Sequence, residues 1–93
     1  MALRHSPEAN AKHKIVGRIL GDLRRKRGYP QADFAVMLGE RPQSWVASVD
    51  TGRIPLTIPQ IEVWLRLVDT SLSSFIKVYE SVVKKAERTD LKL

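Results

Sequence analysis

Residues 31–52 read QADFAVMLGERPQSWVASVDTG and predict two short helices joined by a tight turn. In the first of these helices, apolar side chains recur at the spacing of one helical face, at Ala32, Phe34, Ala35 and Leu38. Gly39 is expected to end that helix, because glycine readily takes the left-handed backbone conformation that follows many helix C-termini. The rest of the chain is best understood as support for this pair.

The second helix, predicted over about 42–50, has two different faces. Pro42 is expected in its first turn, where the missing N–H costs nothing. Val46 and Val49 are three residues apart and should face inward, and Gly52 should stop the helix. The opposite face is small, polar and uncharged, and it carries Gln43, Ser44, Ala47 and Ser48. Such a face suits the DNA major groove, where amides and hydroxyls hydrogen-bond to base edges.

The order and spacing of these residues resemble the Cro/phage-repressor-like helix-turn-helix family, often called XRE-type. The resemblance extends over about residues 15–79 and rests on Gln31, Ala35, Leu38, Gly39, Pro42, Gln43, Ser44, Val46, Asp50 and Gly52. It implies an all-α, five-helix, lambda-repressor-like domain with an extended fifth helix. Glu40 and Arg41 make the turn one residue longer than is usual in the family, and Pro30 replaces the usual Ser or Thr cap.

The resemblance also implies roles for individual side chains. The positions that match base contacts are Gln43, Ser44, Ala47 and Ser48, and the amide of Gln43 suits adenine best. Gln31 matches a glutamine that contacts a DNA phosphate in the family. Arg41 and Arg53 flank the candidate reading helix and are expected to bind phosphates. Trp45 is expected either to pack on helix 2, the commoner role for such an aromatic, or to rest against the sugar–phosphate backbone.

The formal net charge of +6 is concentrated at one end of the chain. Residues 1–28 carry eight basic and two acidic side chains, whereas residues 29–93 carry eight of each. A basic block beside a candidate reading helix favours salt-dependent neutralisation of DNA phosphates. The alternative is an ordinary solvated helix surface whose cations complement the helix dipole.

A chain of 93 residues predicts a single domain. Its expected parts are a flexible arm over 1–11, a helical domain over 12–87 and a short tail over 88–93. A capping box formed by Thr57 and Gln60 should start helix 4. The helices expected outside the central pair are helix 1 from Ala11 or Lys12 to Arg27, helix 4 from Ile58 to Val68, and helix 5 from Leu72 to Glu87.

Three of these helices carry recognisable packing signals. Helix 4 has an apolar face that begins at Ile58 and includes Trp64, which is expected in the core. Gly17 and Gly21 of helix 1 either lower its helix propensity or let a neighbouring helix approach. The second half of helix 5 is predicted to form a homodimer interface through Tyr79, Val82, Val83 and Ala86. The alternative is that this half folds back over helix 1.

Several classes of function are not expected. The chain has no cysteine, and neither His5 nor His13 lies in a sequence cluster of carboxylates, so no metal site is predicted. No phosphate-binding loop, dinucleotide turn or nucleophile–His–acid set is present, so neither an enzyme nor a cofactor is expected. No apolar run approaches the roughly 20 residues of a membrane span, and a cytoplasmic, bacterial or phage-encoded protein is expected.

The sequence thus predicts a transcriptional regulator with double-stranded DNA as its partner. The expected form is a dimeric repressor of phage or mobile-element type, with a regulatory protein as a possible further partner. A protein-binding module on the same scaffold, such as an antitoxin or antiactivator, is the alternative, because a fold does not fix its function.

Overall fold

A computed structural model describes residues 6–88 of the chain. The regular secondary structure of this part is all helical, without a strand, which confirms the all-α prediction. Residues 1–5, and residues 89–93 of the predicted tail, lie outside the described part of the chain. The five helices are α1 (Pro7–Lys26), α2 (Gln31–Met37), α3 (Gln43–Asp50), α4 (Ile58–Leu67) and α5 (Leu72–Arg88).

Helix α1 begins four residues before Ala11, the earliest start that was predicted. Ser6 is the N-cap, and its hydroxyl accepts a hydrogen bond of 3.0 Å from the backbone N–H of Ala9. Pro7 and the acidic Glu8 then occupy the first turn, where both are favourable. The prediction of a flexible arm is therefore wrong for residues 7–11, which are helical.

The other helix ends match the predictions to within one residue. Pro42 is the N-cap of α3 and not, as predicted, a residue of its first turn. The capping box at the start of α4 is confirmed, since the Thr57 hydroxyl accepts from the Gln60 N–H and the Gln60 side chain accepts from the Thr57 N–H. Helix α5 is capped by Ser71, whose Oγ accepts from the Ser74 N–H at 3.1 Å.

Trp64 of α4 lies at the centre of the core, as predicted, and is fully buried. Its indole N–H donates to the backbone oxygen of Leu20 at 3.0 Å, and its ring meets Phe34 edge-on with the centroids 4.8 Å apart. This one side chain therefore joins α4 to both α1 and α2. Ala32 and Ile58 were assigned to core faces but are exposed, Ile58 by 51%, because the first turns of their helices project beyond the core.

Helix α5 packs back over α1, which was the alternative to a free dimer surface. Tyr79 stacks on Phe75 and borders a small pocket together with Lys12 of α1. Of the four residues predicted to form a dimer interface, Tyr79, Val83 and Ala86 are already half-buried within one chain, and Val82 is 38% exposed. Within residues 6–88, none of the helices has the length and apolar character needed to cross a membrane.

Candidate nucleic-acid interface

The turn between α2 and α3, residues 38–42, contains two consecutive residues in the left-handed backbone conformation. Gly39 has a φ of 102° and Glu40 a φ of 59°. For Glu40, which has a Cβ, this conformation costs about 1 kcal/mol. The backbone N–H of Arg41 then donates to the oxygen of Ala35 at 3.0 Å and closes the turn onto the end of α2. The turn is thus closed by backbone hydrogen bonds to α2.

Helix α3 presents the two faces that its sequence predicted. Val46 and Val49 are no more than 1% exposed and hold the helix on the core. The four predicted base-contacting residues share the opposite face, where Gln43 and Ser44 are exposed and Ala47 and Ser48 are half-buried. The structure therefore brings these four side chains together on one uncharged surface.

Four polar side chains from three helices form a hydrogen-bonded series, which we call the polar network. Arg24 of α1 donates to the Asp50 carboxylate at the end of α3, with 3.0 Å between Nη2 and Oδ2. Gln31, at the start of α2, donates its amide N–H to the same oxygen at 3.0 Å. Gln43 then donates to the amide oxygen of Gln31 at 3.3 Å. The network runs from the buried guanidinium of Arg24 to the exposed amide of Gln43.

The chemistry of its members fixes the direction of the polar network. An ionised carboxylate only accepts hydrogen bonds, so Asp50 must face the amide nitrogen of Gln31. The amide oxygen of Gln31 consequently faces Gln43 and requires a nitrogen donor from it. One N–H and the oxygen of Gln43 are left for other partners. Gln31, predicted to bind a phosphate, therefore contacts Asp50 and Gln43 within the protein.

Helix α1 lies unusually close to the C-terminal end of α3. A Cβ placed on Gly17 would lie 2.1 Å from the backbone oxygen of Val49, and one on Gly21 would lie 2.9 Å from Oδ1 of Asp50. Of the two predicted roles for these glycines, the close approach of a neighbouring helix is the one that the structure shows. The glycines allow the Arg24 side chain, 5% exposed, to reach the carboxylate of Asp50, which is 10% exposed.

The basic block of α1 is only partly available to an external anion. Arg24 also donates to the backbone oxygen of Tyr29 and is committed to the protein interior. Arg25 pairs with Asp22 at 2.6 Å. Lys12 pairs with Glu8 at 3.0 Å, and this hydrogen bond raises the pKa of Lys12 above its ordinary value. Arg24 of this block is therefore not accessible to an external phosphate.

Two of the predicted phosphate-binding residues interact with each other. Trp45 is half-buried and packs against the core. The exposed Arg41 covers its ring, with the guanidinium carbon 4.1 Å from a ring centroid, at a distance typical of a cation–π contact. Arg53 is exposed just beyond the other end of α3. Arg41 and Arg53 thus flank α3 on both sides, as predicted.

Sequence reasoning missed the role of Arg24 and treated Asp50 only as part of a pattern. Two signals pointed to them. An aspartate at the C-terminal end of a helix faces the negative end of the dipole, so it needs a cationic partner. Arg24 falls on the same face of α1 as Gly17 and Gly21, seven and three residues along the helix.

In the part of the chain that the structure describes, no group of three or more His, Asp or Glu side chains is placed to hold a metal ion. No protein-family model matches the chain, and neither a curated protein nor a solved structure gives a significant match.

Proposed function

We propose that the protein is a sequence-specific DNA-binding transcriptional regulator of the helix-turn-helix type, with α3 as the helix that enters the major groove. The observation that carries this proposal is the exposed amide of Gln43, which lies on the outward face of α3 and donates to Gln31 of the polar network. A side chain that is already hydrogen-bonded in the free protein loses less conformational entropy when it binds a base edge, so this contact favours recognition by Gln43.

The direction of the polar network favours one base. Gln43 offers an amide oxygen that accepts from N6 of adenine and an N–H that donates to N7. Ser44 and Ser48 add hydroxyls, which bond to several base edges and are less selective. The methyl group of Ala47 suits contact with the methyl of thymine. The expected half-site therefore contains an A·T pair opposite the start of α3.

Affinity that is independent of sequence would come from the cations around α3. Arg53 lies beyond its C-terminal end, and Arg41 lies before its N-terminal end on the ring of Trp45. Each phosphate contact releases condensed counterions, so binding should weaken as salt rises. Base contacts and phosphate contacts are therefore separable by mutation.

A homodimer on a repeated operator is part of the proposal. Helix α3 has eight residues and reads few base pairs, so a second copy is needed for a long operator. Two such helices would enter successive major grooves about 34 Å apart. Occupancy of a promoter would then exclude polymerase, which makes the regulator a repressor.

The test is selection from a pool of randomised DNA duplexes at two salt concentrations, with sequencing of the retained molecules. A motif containing an A·T pair is expected, and the spacing of its repeats reports the arrangement of the two copies. Gln43→Ala should weaken specific binding by about 1–3 kcal/mol and relax one base position. The matched control is Asn10→Ala, which removes an exposed amide from α1.

Arg53→Ala supplies the second arm of this test. It should weaken binding to all sequences alike and lower the slope of log affinity against log salt by about 1. Retention without a motif, or an unchanged motif after Gln43→Ala, would contradict the assignment of α3 as the reading helix. Absence of binding at physiological salt would instead favour a protein-binding module on the same scaffold.

A further inference from the structure

An open apolar groove with a volume of about 730 Å³ runs between α1 and α5. On the α5 side, it is lined by two valines that remain exposed, Val78 by 49% and Val82 by 38%. No residue of α2 or α3 lines it, so it is separate from the candidate DNA interface. Its apolar lining residues are Ile15, Ile19, Leu23, Phe75, Val78, Val82 and Ala86.

The edge of this α1–α5 groove is positively charged. Lys14, Arg18 and Lys26 line it from one face of α1, at intervals of four and eight residues, and we call these three the basic rim. All three are exposed, and none belongs to an ion pair found among residues 6–88. Asp22 also lines the groove, but it pairs with Arg25 at 2.6 Å. The groove thus offers unneutralised positive charge beside apolar surface.

The dimensions of the α1–α5 groove match a short helix. From Lys14 to Lys26 the axis of α1 rises by about 18 Å, which is the length of roughly three helical turns. Apolar grooves of this kind bind helices that present side chains at positions i, i+3, i+4 and i+7. We propose that the groove binds an amphipathic helix of a partner protein, with an apolar stripe flanked by Asp and Glu side chains that face the basic rim.

A second copy of this chain is a poorer occupant of the groove. A symmetric dimer uses the same surface of both copies, so the two basic rims would face each other and repel. The outward face of α5 of a second copy would not supply the acidic side chains either, since it carries Lys77, Lys84 and Arg88 beside Glu80. Charge complementarity therefore favours a different, acidic partner, and this inference does not depend on the proposed DNA binding.

The test uses the full chain and a hydrocarbon-stapled helix of about 14 residues. The probe has leucines along one stripe and glutamates at the remaining positions. A matched probe has lysines in place of the glutamates. Fluorescence anisotropy should show that the acidic probe binds more tightly and that its affinity falls as salt rises. Backbone amide shifts should then concentrate on α1 and α5 and leave α3 unchanged.

Three variants locate the binding surface. Val82→Glu should weaken binding of the acidic probe about tenfold or more, because it places a charge in the apolar wall. Arg18→Glu should weaken it about threefold and reduce its salt dependence. Lys77→Glu makes the same charge change on the outward face of α5 and should leave binding unchanged. If circular dichroism shows that Val82→Glu unfolds, the comparison of Arg18→Glu with Lys77→Glu still tests whether the acidic probe binds at the basic rim.

Equal binding of the two probes, or no binding of the acidic probe, would overturn the proposal. Sedimentation experiments could also overturn it. If they show a dimer that Arg18→Glu strengthens or Val82→Glu dissociates, a second copy of the chain occupies the groove. Selective binding of the acidic probe that Arg18→Glu weakens and Lys77→Glu does not is the result that supports it.

Discussion

Helix α1 contacts α3 on one side and α5 on the other, and the two contacts differ in packing and in chemistry. On the α3 side, Gly17 brings backbone against backbone, Gly21 lies against the Asp50 side chain, and the two terminal nitrogens of the buried Arg24 donate to Asp50 and Tyr29. On the α5 side, branched apolar side chains meet incompletely and leave a groove of about 730 Å³. We call the closely packed contact of α1 with α3 the closed side of α1, and the contact with α5, which leaves the groove, the open side.

This difference separates two tasks within a small chain. A helix that is to read DNA must be held in one position, and close backbone packing with directional hydrogen bonds does this better than apolar contact alone. A groove of apolar side chains fixes no single position, but it suits the proposed amphipathic helix of a partner. The closed side supports the proposed DNA reading, and the open side supports the proposed protein contact.

The largest effect is expected from Gly17→Val. Any Cβ at this position would lie 2.1 Å from the backbone oxygen of Val49, so α3 must move away from α1. We expect the free energy of unfolding to fall by about 4 kcal/mol or more, which approaches the whole stability of a small domain. Urea denaturation followed by circular dichroism measures this change.

Gly17→Ala gives a sharper version of the same experiment. Alanine is a better helix former than glycine by about 1 kcal/mol, so propensity alone would make this variant more stable. A clear loss of stability would therefore report the clash. Ser81→Ala, on an exposed turn of α5, is the control and should change stability by about 0.5 kcal/mol or less. A stabilised Gly17→Ala would show that the closed contact does not exist in solution.

A smaller loss is expected from Asp50→Ala. It leaves the guanidinium of Arg24 buried without its carboxylate, which typically costs about 3 kcal/mol or more. It also releases Gln31, and through it Gln43, so base discrimination should fall even at temperatures where the variant is folded. Thermal unfolding measures the first effect and selection of bound duplexes the second.

The double variant Arg24→Met with Asp50→Leu separates these two effects. Apolar replacement of a buried ion pair is often neutral for stability, so the double variant should regain much of the loss. Gln31 would still lack its acceptor, and base discrimination should remain reduced. Recovery of both properties would mean that Asp50 acts only through stability and does not position Gln43.

The sequence predicted most of the local structure because its signals are local. Gly39 and the Thr57–Gln60 capping box mark helix ends within a few residues, and Val46 and Val49 show their inward face by spacing alone. The start of α1 was predicted too late although Ser6 and Pro7 are ordinary start signals, because no apolar periodicity follows them until Ile15.

The candidate site was harder to predict where it depends on distant parts of the chain. Arg24 and Asp50 are 26 residues apart, and their pairing requires that Gly17 lets α1 reach the end of α3. No local spacing shows such a contact. The packing of α5 over α1 could not be predicted for the same reason, because an apolar stripe does not reveal whether its own chain or another one covers it.

The smallest effect is expected from Val78→Ser, on the open side of α1. Because Val78 is already 49% exposed, its removal should lower the free energy of unfolding by less than about 1 kcal/mol. The value should also be independent of protein concentration, since the groove is open in a single chain. A loss of about 2 kcal/mol or more that grows with concentration would mean that a second copy covers this wall, and both sides of α1 would then be closed contacts. A small loss that does not change with protein concentration would indicate that the groove is free to bind another protein, because altering a side chain that its own chain leaves exposed changes stability little.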